Sequence, residues 1–274
     1  MFCQEYIPSQ QLSSYIKSFI LIEDEEGAFR NQPMNIYPSG HLEMIISFGD
    51  RVIFSTDNYQ LKSASGYLGG QILEPVYYRC LGNLRILSVI FRPYGIYRFL
   101  DIPQVEFNGR RIDLDLVMGR PGKDFIARLC DEPSREKKIS LADSFFCNLL
   151  SGKAMKALHI ARASFFLNNF RNDVNISSIC TTLNVSIKTL ERDFRRIVGI
   201  TPKELSRVLR FNEAFNRINS GKCHDLQDLI FECGYYDQAH FINEFRLFTS
   251  LTPTAFINKQ KETVERSFRE VVKI

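Results

Sequence analysis

No two cysteines in this chain are spaced as CxxC. The seven present, at 3, 80, 130, 147, 180, 223 and 233, are odd in number and follow no pattern. That argues against a disulfide framework and for reduced thiols in a cytoplasmic protein. Cysteines used in this way are mostly small core residues. No run of roughly 18 apolar residues occurs, so no membrane helix and no membrane partner are expected. The opening Met1-Phe2-Cys3-Gln4-Glu5 lacks the basic and apolar regions of a signal peptide. The first 150 residues hold a single histidine, His41. A cupin-type metal enzyme needs clustered His and carboxylates, so no metal and no cofactor are expected, and His41 reads as a turn or surface residue. Cys80 and Cys130 have no base close in sequence and no Pro-Cys-His-like pattern occurs, so no catalytic residue is assigned.

What is present begins with length. A chain of 274 residues can hold two domains with a sizeable core, and 45% apolar with 24% charged residues is ordinary for a globular protein. The net charge of +4 is unevenly spread. Residues 1–150 carry 16 Lys/Arg against 18 Asp/Glu, and residues 151–274 carry 19 against 13. Only the second half is basic, so only that half is expected to meet a polyanion.

Residues 1–120 read as mainly β. Gln11 to Ile22 reads as a helix running into a strand. Leu42 to Phe48 lies between Pro38-Ser39-Gly40 and Gly49-Asp50 as a strand does, and Val52 to Ser55 is expected to close a hairpin on it. Val76 to Cys80 and Leu84 to Phe91 flank the turn signal Gly82-Asn83, and Ile96 to Leu100 starts a short helix. Helical patterning takes over from about Phe125, with a polar break at Asp131 to Arg135. Residues 121–152 thus form a helical connector, and Ser151-Gly152-Lys153 marks the boundary. Residues 153–260 read as helices throughout, and 261–274 as a tail. Met155 to Phe170 is expected to bury Leu158, Ala161, Phe165 and Phe166. Ile176 to Leu183 is followed by a helix capped by Ser186. Pro202 opens a longer helix to about Asn219, Asp225 and Asp237 cap two more, and Pro253 opens the last.

Within that half one block occurs twice, offset by 51 residues. Ser186-x3-Leu190-x3-Phe194 is followed by Gly199-x-Thr201-Pro202-x2-Leu205. Asp237-x3-Phe241-x3-Phe245 is followed by Ser250-x-Thr252-Pro253-x2-Phe256. Each copy is a cap, an apolar i/i+4 pair, a loop and a Thr-Pro helix start. Helix, tight turn and second helix form the helix-turn-helix unit, whose second helix enters the DNA major groove. The apolar pairs pin that helix to its domain, and the other face carries side chains able to read base edges. Arg grips guanine, Asn or Gln grips adenine, Glu accepts from cytosine and Ala meets the thymine methyl. Lys188, Glu191, Arg192, Gln238, Ala239 and Asn243 lie near the helix starts and are the expected base readers. Thr189, Arg195, Arg196, His240 and Arg246 are expected on phosphates, which position rather than specify. The connector Lys203 to Asn219 spans roughly 25 Å at about 1.5 Å per residue. With its flanking units it can hold two reading helices about 34 Å apart, one DNA turn.

These motifs, with Arg210-x3-Ala214 and Gly234-Tyr235 between them, resemble the AraC/XylS-type DNA-binding domain over residues 155–258. The resemblance implies a sequence-specific regulator that activates or represses transcription, with RNA polymerase as a partner. Ser250 stands where Gly is usual in that family, and Asn243 where Arg is common, which removes a charge from the second motif. Pro38 to Ile45 and Phe91 to Leu100 resemble the uncharacterised N-terminal domain of a subset of these regulators. In the family at large such domains sense small molecules or mediate dimerisation, and the residues name neither; no effector pocket is assigned. Glu43 with Arg79, Arg92 and Arg98 reads either as a pocket for an anionic or sugar-like effector or as structural ion pairs. Leu141 to Leu150 reads either as a homodimer surface or as domain packing.

The expected fold class is therefore α+β: a mainly β sensing or dimerisation domain, then an all-α domain of two helix-turn-helix motifs on a linker helix. The alternative from another class is an enzyme of repair or modification type with an appended DNA-targeting domain.

Overall fold

The computed structural model describes residues 1–50, 52–55, 60–62, 65–150, 158–169, 175–220 and 226–260. The N-terminal half is a sandwich of two antiparallel sheets. Its strands are β1 (Phe2–Tyr6), β2 (Ile16–Asp24), β3 (Pro33–Ile36), β4 (Leu42–Ser47), β5 (Val52–Ser55), β6 (Gln60–Lys62), β7 (Gly66–Gly69), β8 (Val76–Cys80), β9 (Leu84–Phe91) and β10 (Arg111–Asp113). One sheet runs β1-β2-β9-β4-β7-β10 and the other β3-β8-β5-β6. The central strands β2, β4 and β9 read as near-continuous apolar runs because both their faces are covered. Leu87, Val89 and Phe91 of β9 face a core shared with helices, while Ile86 and Ile90 face the second sheet.

The expected hairpin of Val52 to Ser55 on Leu42 to Phe48 does not form, and the turn signal at Gly82-Asn83 joins no hairpin either. β4 and β5 lie in different sheets, and so do β8 and β9. The turn signals between them are corners where the chain changes sheet. The two corners are stitched to each other: Asn83 N donates to Asp50 Oδ2 at 2.7 Å, and Asp50 N donates to Asn83 O at 2.9 Å. Local turn chemistry marks a reversal but not its partner strand. The helical start expected at Gln11 is only a turn, closed by Ile16 N donating to Leu12 O at 2.8 Å.

Helices begin earlier than the periodicity suggested. After α1 (Tyr97–Leu100) and a 3-10 turn (Gln104–Phe107), α2 runs from Leu114 to Asp131 and α3 from Arg135 to Leu150. Gly119, at φ 58° and ψ −142°, breaks α2 just before Pro121, which masks its first turns in the apolar pattern. α3 buries Ala142 and Phe146 in the sandwich's helix-side core, with Leu141, Phe145, Leu149 and Leu150 packed against it. Phe145 stacks on Phe125 of α2 at 3.9 Å. The apolar face of α3 thus packs within the chain.

The C-terminal half contains α4 (Leu158–Asn169), α5 (Ile176–Leu183), α6 (Ile187–Ile197), α7 (Pro202–Asn219), α8 (Leu226–Glu232), α9 (Gln238–Thr249) and α10 (Pro253–Gln260). The boundary Ser151-Gly152-Lys153, the cap Asp225 and the tail 261–274 lie outside the described residues. α4 turns a different face inward than expected. Ile160, Ala163, Ser164 and Leu167 are buried, while Leu158 and Phe165 are 56% and 59% exposed. α4 carries apolar residues on more than one side, and the narrow face with Ala163 is the one that packs against α7.

The caps form as the sequence indicates. Ser186 Oγ accepts from Thr189 N, and Asp237 Oδ1 accepts from His240 N. Thr201 and Glu204 make a reciprocal capping box around Pro202. Leu205 and Leu209 of α7 enter the core of the first motif, and Val208, Phe211, Phe215 and Ile218 enter that of the second. One helix is thereby built into both motifs.

The two halves are also in contact. Tyr37 sits against Phe215 at 5.1 Å and Phe256 at 6.0 Å. Asn212 Nδ2 donates to Ser39 O at 3.0 Å. Gly40, at φ 74°, lies so close to α7 that a Cβ there would stand 3.0 Å from Leu205. Tyr97 of α1 belongs to the core of the first motif.

Candidate nucleic-acid interface

α6 presents its expected reading residues outward. Lys188, Glu191 and Arg192 are exposed, while Leu190 and Phe194 on the opposite face are fully buried. Thr189 is half-buried in the cap, where its Oγ1 accepts from Ser186 Oγ at 2.9 Å. Arg192 is held rather than loose: its Nε donates to Asp193 Oδ1 at 3.0 Å, and Asp193 Oδ2 meets His159 Nε2 at 2.9 Å. A chain from α4 through Asp193 therefore orients Arg192. Asp193 gave no sequence signal, because its role depends on His159 arriving from α4. Arg195 is exposed. Arg196 is also exposed, but its guanidinium lies 5.5 Å from the Tyr97 ring centroid, over the N-terminal half.

α9 repeats the arrangement with different anchoring. Gln238, Ala239, Asn243 and Arg246 are exposed and Phe241 and Phe245 are buried. Glu244, 3% exposed, ties α9 to the connector. Arg207 Nε donates to its Oε1 at 2.7 Å, and Arg210 reaches both carboxylate oxygens at 3.3 Å. His240, one turn earlier, lies 3.7 Å from Glu244 through Nε2 and is half-turned toward it. A buried carboxylate with two arginine partners fixes the orientation of α9 on α7. Glu244 draws no assignment from the sequence; only the approach of α7 makes it internal.

The arginines grouped with Glu43 do not gather around it. Arg79 is exposed, Arg92 Nε donates to Ser13 O at 2.7 Å, and Arg98 donates to Leu150 O at 3.0 Å. Glu43 instead accepts from Ser88 Oγ between the sheets, with Arg111 near it. Burial holds its carboxyl above the usual carboxylate range, against the pull of Ser88 and Arg111. His41 is no surface residue: it is half-buried with Nδ1 3.0 Å from Phe91 O, and burial pushes its pKa down to about 3.

Comparison with known proteins agrees with this geometry. Residues 179–259 match the family described as a helix-turn-helix domain, and residues 4–113 match a domain of unknown function, DUF6597. The HTH-type transcriptional activator RhaS of Pectobacterium carotovorum subsp. carotovorum is 25% identical over 200 residues, 67% of this chain and 68% of the relative. RhaS of Pectobacterium atrosepticum is 28% identical over 200 residues, with the same shares covered. Among solved structures, ToxT from Vibrio cholerae has the same fold, with a TM-score of 0.50 at 12% identity, over 88% of this chain and 98% of ToxT. The C-terminal half is thus an AraC-type helix-turn-helix domain behind a β-rich domain. The chain is a DNA-binding transcriptional regulator. Among the described residues no helix is long and apolar enough to cross a membrane.

Proposed function

We propose that this regulator activates transcription by inserting α6 and α9 into successive major grooves of one operator. Lys188, Glu191, Arg192, Gln238, Ala239 and Asn243 read base edges. Thr189, Arg195, Arg196, His240 and Arg246 set the register on phosphates. Bound beside a promoter, the chain recruits RNA polymerase. It works in the cytoplasm through binding and not through catalysis. The observation that carries this reading is the pairing of exposed readers with buried anchors on two helices built onto one connector. The activator sense is supported by the likeness to RhaS.

The N-terminal domain is the sensing part. Glu43, Ser88, Tyr67 and Arg111 place polar groups on the inter-sheet side and are the groups a small polar effector would address. Contacts of Tyr37, Ser39, Tyr97 and Asn108 with the DNA-binding half give its state a route to the reading helices. The test is capture of fragmented genomic DNA by the full chain, followed by sequencing. Promoter-proximal fragments sharing a site are expected; uniform capture would contradict sequence-specific regulation.

A further inference from the structure

The connector α7 carries a polar stripe of which only Arg207 and Arg210 are tied to a motif, through Glu244. Lys203, Ser206, Arg207 and Arg210 recur at i, i+3, i+4 and i+7, which places them on one face of the helix. With His240, Asn243, Glu244 and Leu247 of α9 they line an open basin of about 770 Å³. Three cations face one carboxylate there, and Glu244 is already engaged by Arg207 and Arg210. Lys203 is exposed and makes no ion pair among the described residues. Arg210 Nε is a buried donor without a hydrogen-bond partner.

Place in the fold gives the basin its meaning. Leu205 and Asn212, which meet the N-terminal half, lie roughly half a turn around α7 from Lys203 at about 100° per residue. The N-terminal domain therefore packs on the opposite side of α7 and leaves the basin open. One wall of the basin is α9, including its base reader Asn243. A duplex gripped by both reading helices must carry its backbone past the connector between the two grooves.

We infer that the basin between α7 and α9 is a third DNA contact, in which Lys203, Ser206 and Arg207 hold backbone phosphates between the two major-groove insertions. This rests on the reading that α6 and α9 both enter the operator. The contact carries no sequence preference; it fixes the spacing and angle of the two reading helices on the duplex. It also supplies positive charge beside the motif whose reader is the uncharged Asn243.

The test is the salt dependence of duplex binding by the full chain, measured by fluorescence anisotropy. Each phosphate contact contributes about 0.9 to the slope of log affinity against log salt. Lys203→Gln and Arg207→Gln should each lower the slope by about that amount and weaken operator and unrelated duplex alike. Arg207→Lys loses the Nε bond to Glu244 but keeps the charge, and should retain the slope; a purely structural role for Arg207 would make Lys and Gln equally harmful. Lys137→Gln, at an exposed position of α3, removes the same charge outside the basin and should change nothing. An unchanged slope in Lys203→Gln overturns the inference while leaving the regulator reading intact, whereas absence of operator binding by the wild-type chain would defeat both. Replacing chloride by inorganic phosphate at matched ionic strength separates the sources of the ligand. Lys203-dependent loss of duplex binding in phosphate is expected of a DNA-phosphate contact, whereas phosphate that binds at Lys203 without weakening duplex binding would mark a site for a small phosphorylated molecule and overturn the DNA assignment.

Discussion

The side-chain amide of Asn108 donates to the backbone carbonyl of Gly199 at 2.6 Å. The bond joins the segment after the 3-10 turn of the N-terminal domain to the loop between α6 and α7. Gly199 sits at φ 94°, and a Cβ there would stand 2.7 Å from Asn108 Oδ1 and 3.2 Å from Gln104 O. Its counterpart in the second motif, Ser250, sits at φ 61° and is exposed. The same left-handed turn thus requires glycine where the other domain approaches, and accepts serine where nothing does.

This contrast is testable by exchange. Ser250→Gly should stabilise the chain by about 1 kcal/mol, because serine carries the left-handed penalty that glycine lacks. Gly199→Ala should destabilise by more than that, since steric overlap with Asn108 adds to the same penalty. Urea unfolding monitored by circular dichroism reads both; equal effects of opposite sign would mean the domain contact adds nothing.

Phe194→Ala should cost about 3–5 kcal/mol, as expected for truncating a fully buried aromatic. A wild-type melting curve would remove Phe194 from the core of the first motif.

Arg192→Ala should cost on the order of 1–3 kcal/mol of binding and relax sequence preference at one position. Asp193→Asn should relax the same position by a smaller amount, because Asp193 only orients Arg192. Loss of preference at a position that Arg192→Ala leaves intact would break the link between them.

Much of this was legible beforehand. The caps Ser186 and Asp237, the Thr201-Pro202 start and the anchors Leu190, Phe194, Phe241 and Phe245 all follow from spacings within a few residues. What escaped the sequence depends on chain segments far apart. Gly49-Asp50 and Gly82-Asn83 look like hairpin turns, yet their strands pair in different sheets. His41 looks solvated until β9 closes over it, and Glu244 draws no assignment without the approach of α7. Arg196 looks like a phosphate ligand, and only the position of Tyr97 reveals a second use.

That second use predicts a coupling. Arg196 over Tyr97 should couple by about 0.5–1 kcal/mol in a double-mutant cycle with Arg196→Ala and Tyr97→Ala, read by unfolding. Strict additivity would mean the contact carries no energy and Arg196 is available to phosphate alone.

A pH dependence follows from His41. Burial foremost, then the charges of Lys17 and Arg92, lowers its folded pKa to about 3, against an unfolded value near 6.5. Between those values the unfolded chain binds the extra proton, so stability falls as pH drops below about 6.5 and is unaffected at higher pH. His41→Gln should flatten that slope in unfolding measurements between pH 6.5 and 4.5; an unaltered slope would place the proton uptake elsewhere.

The most direct test of the central claim is selection of bound sites from a pool of random duplex DNA by the full chain, followed by sequencing. Two short blocks about one helical turn apart are expected, the first losing definition in Arg192→Ala and the second in Asn243→Ala. A single enriched block, indifferent to Asn243, would show that α9 does not read bases and would contradict a two-motif reader.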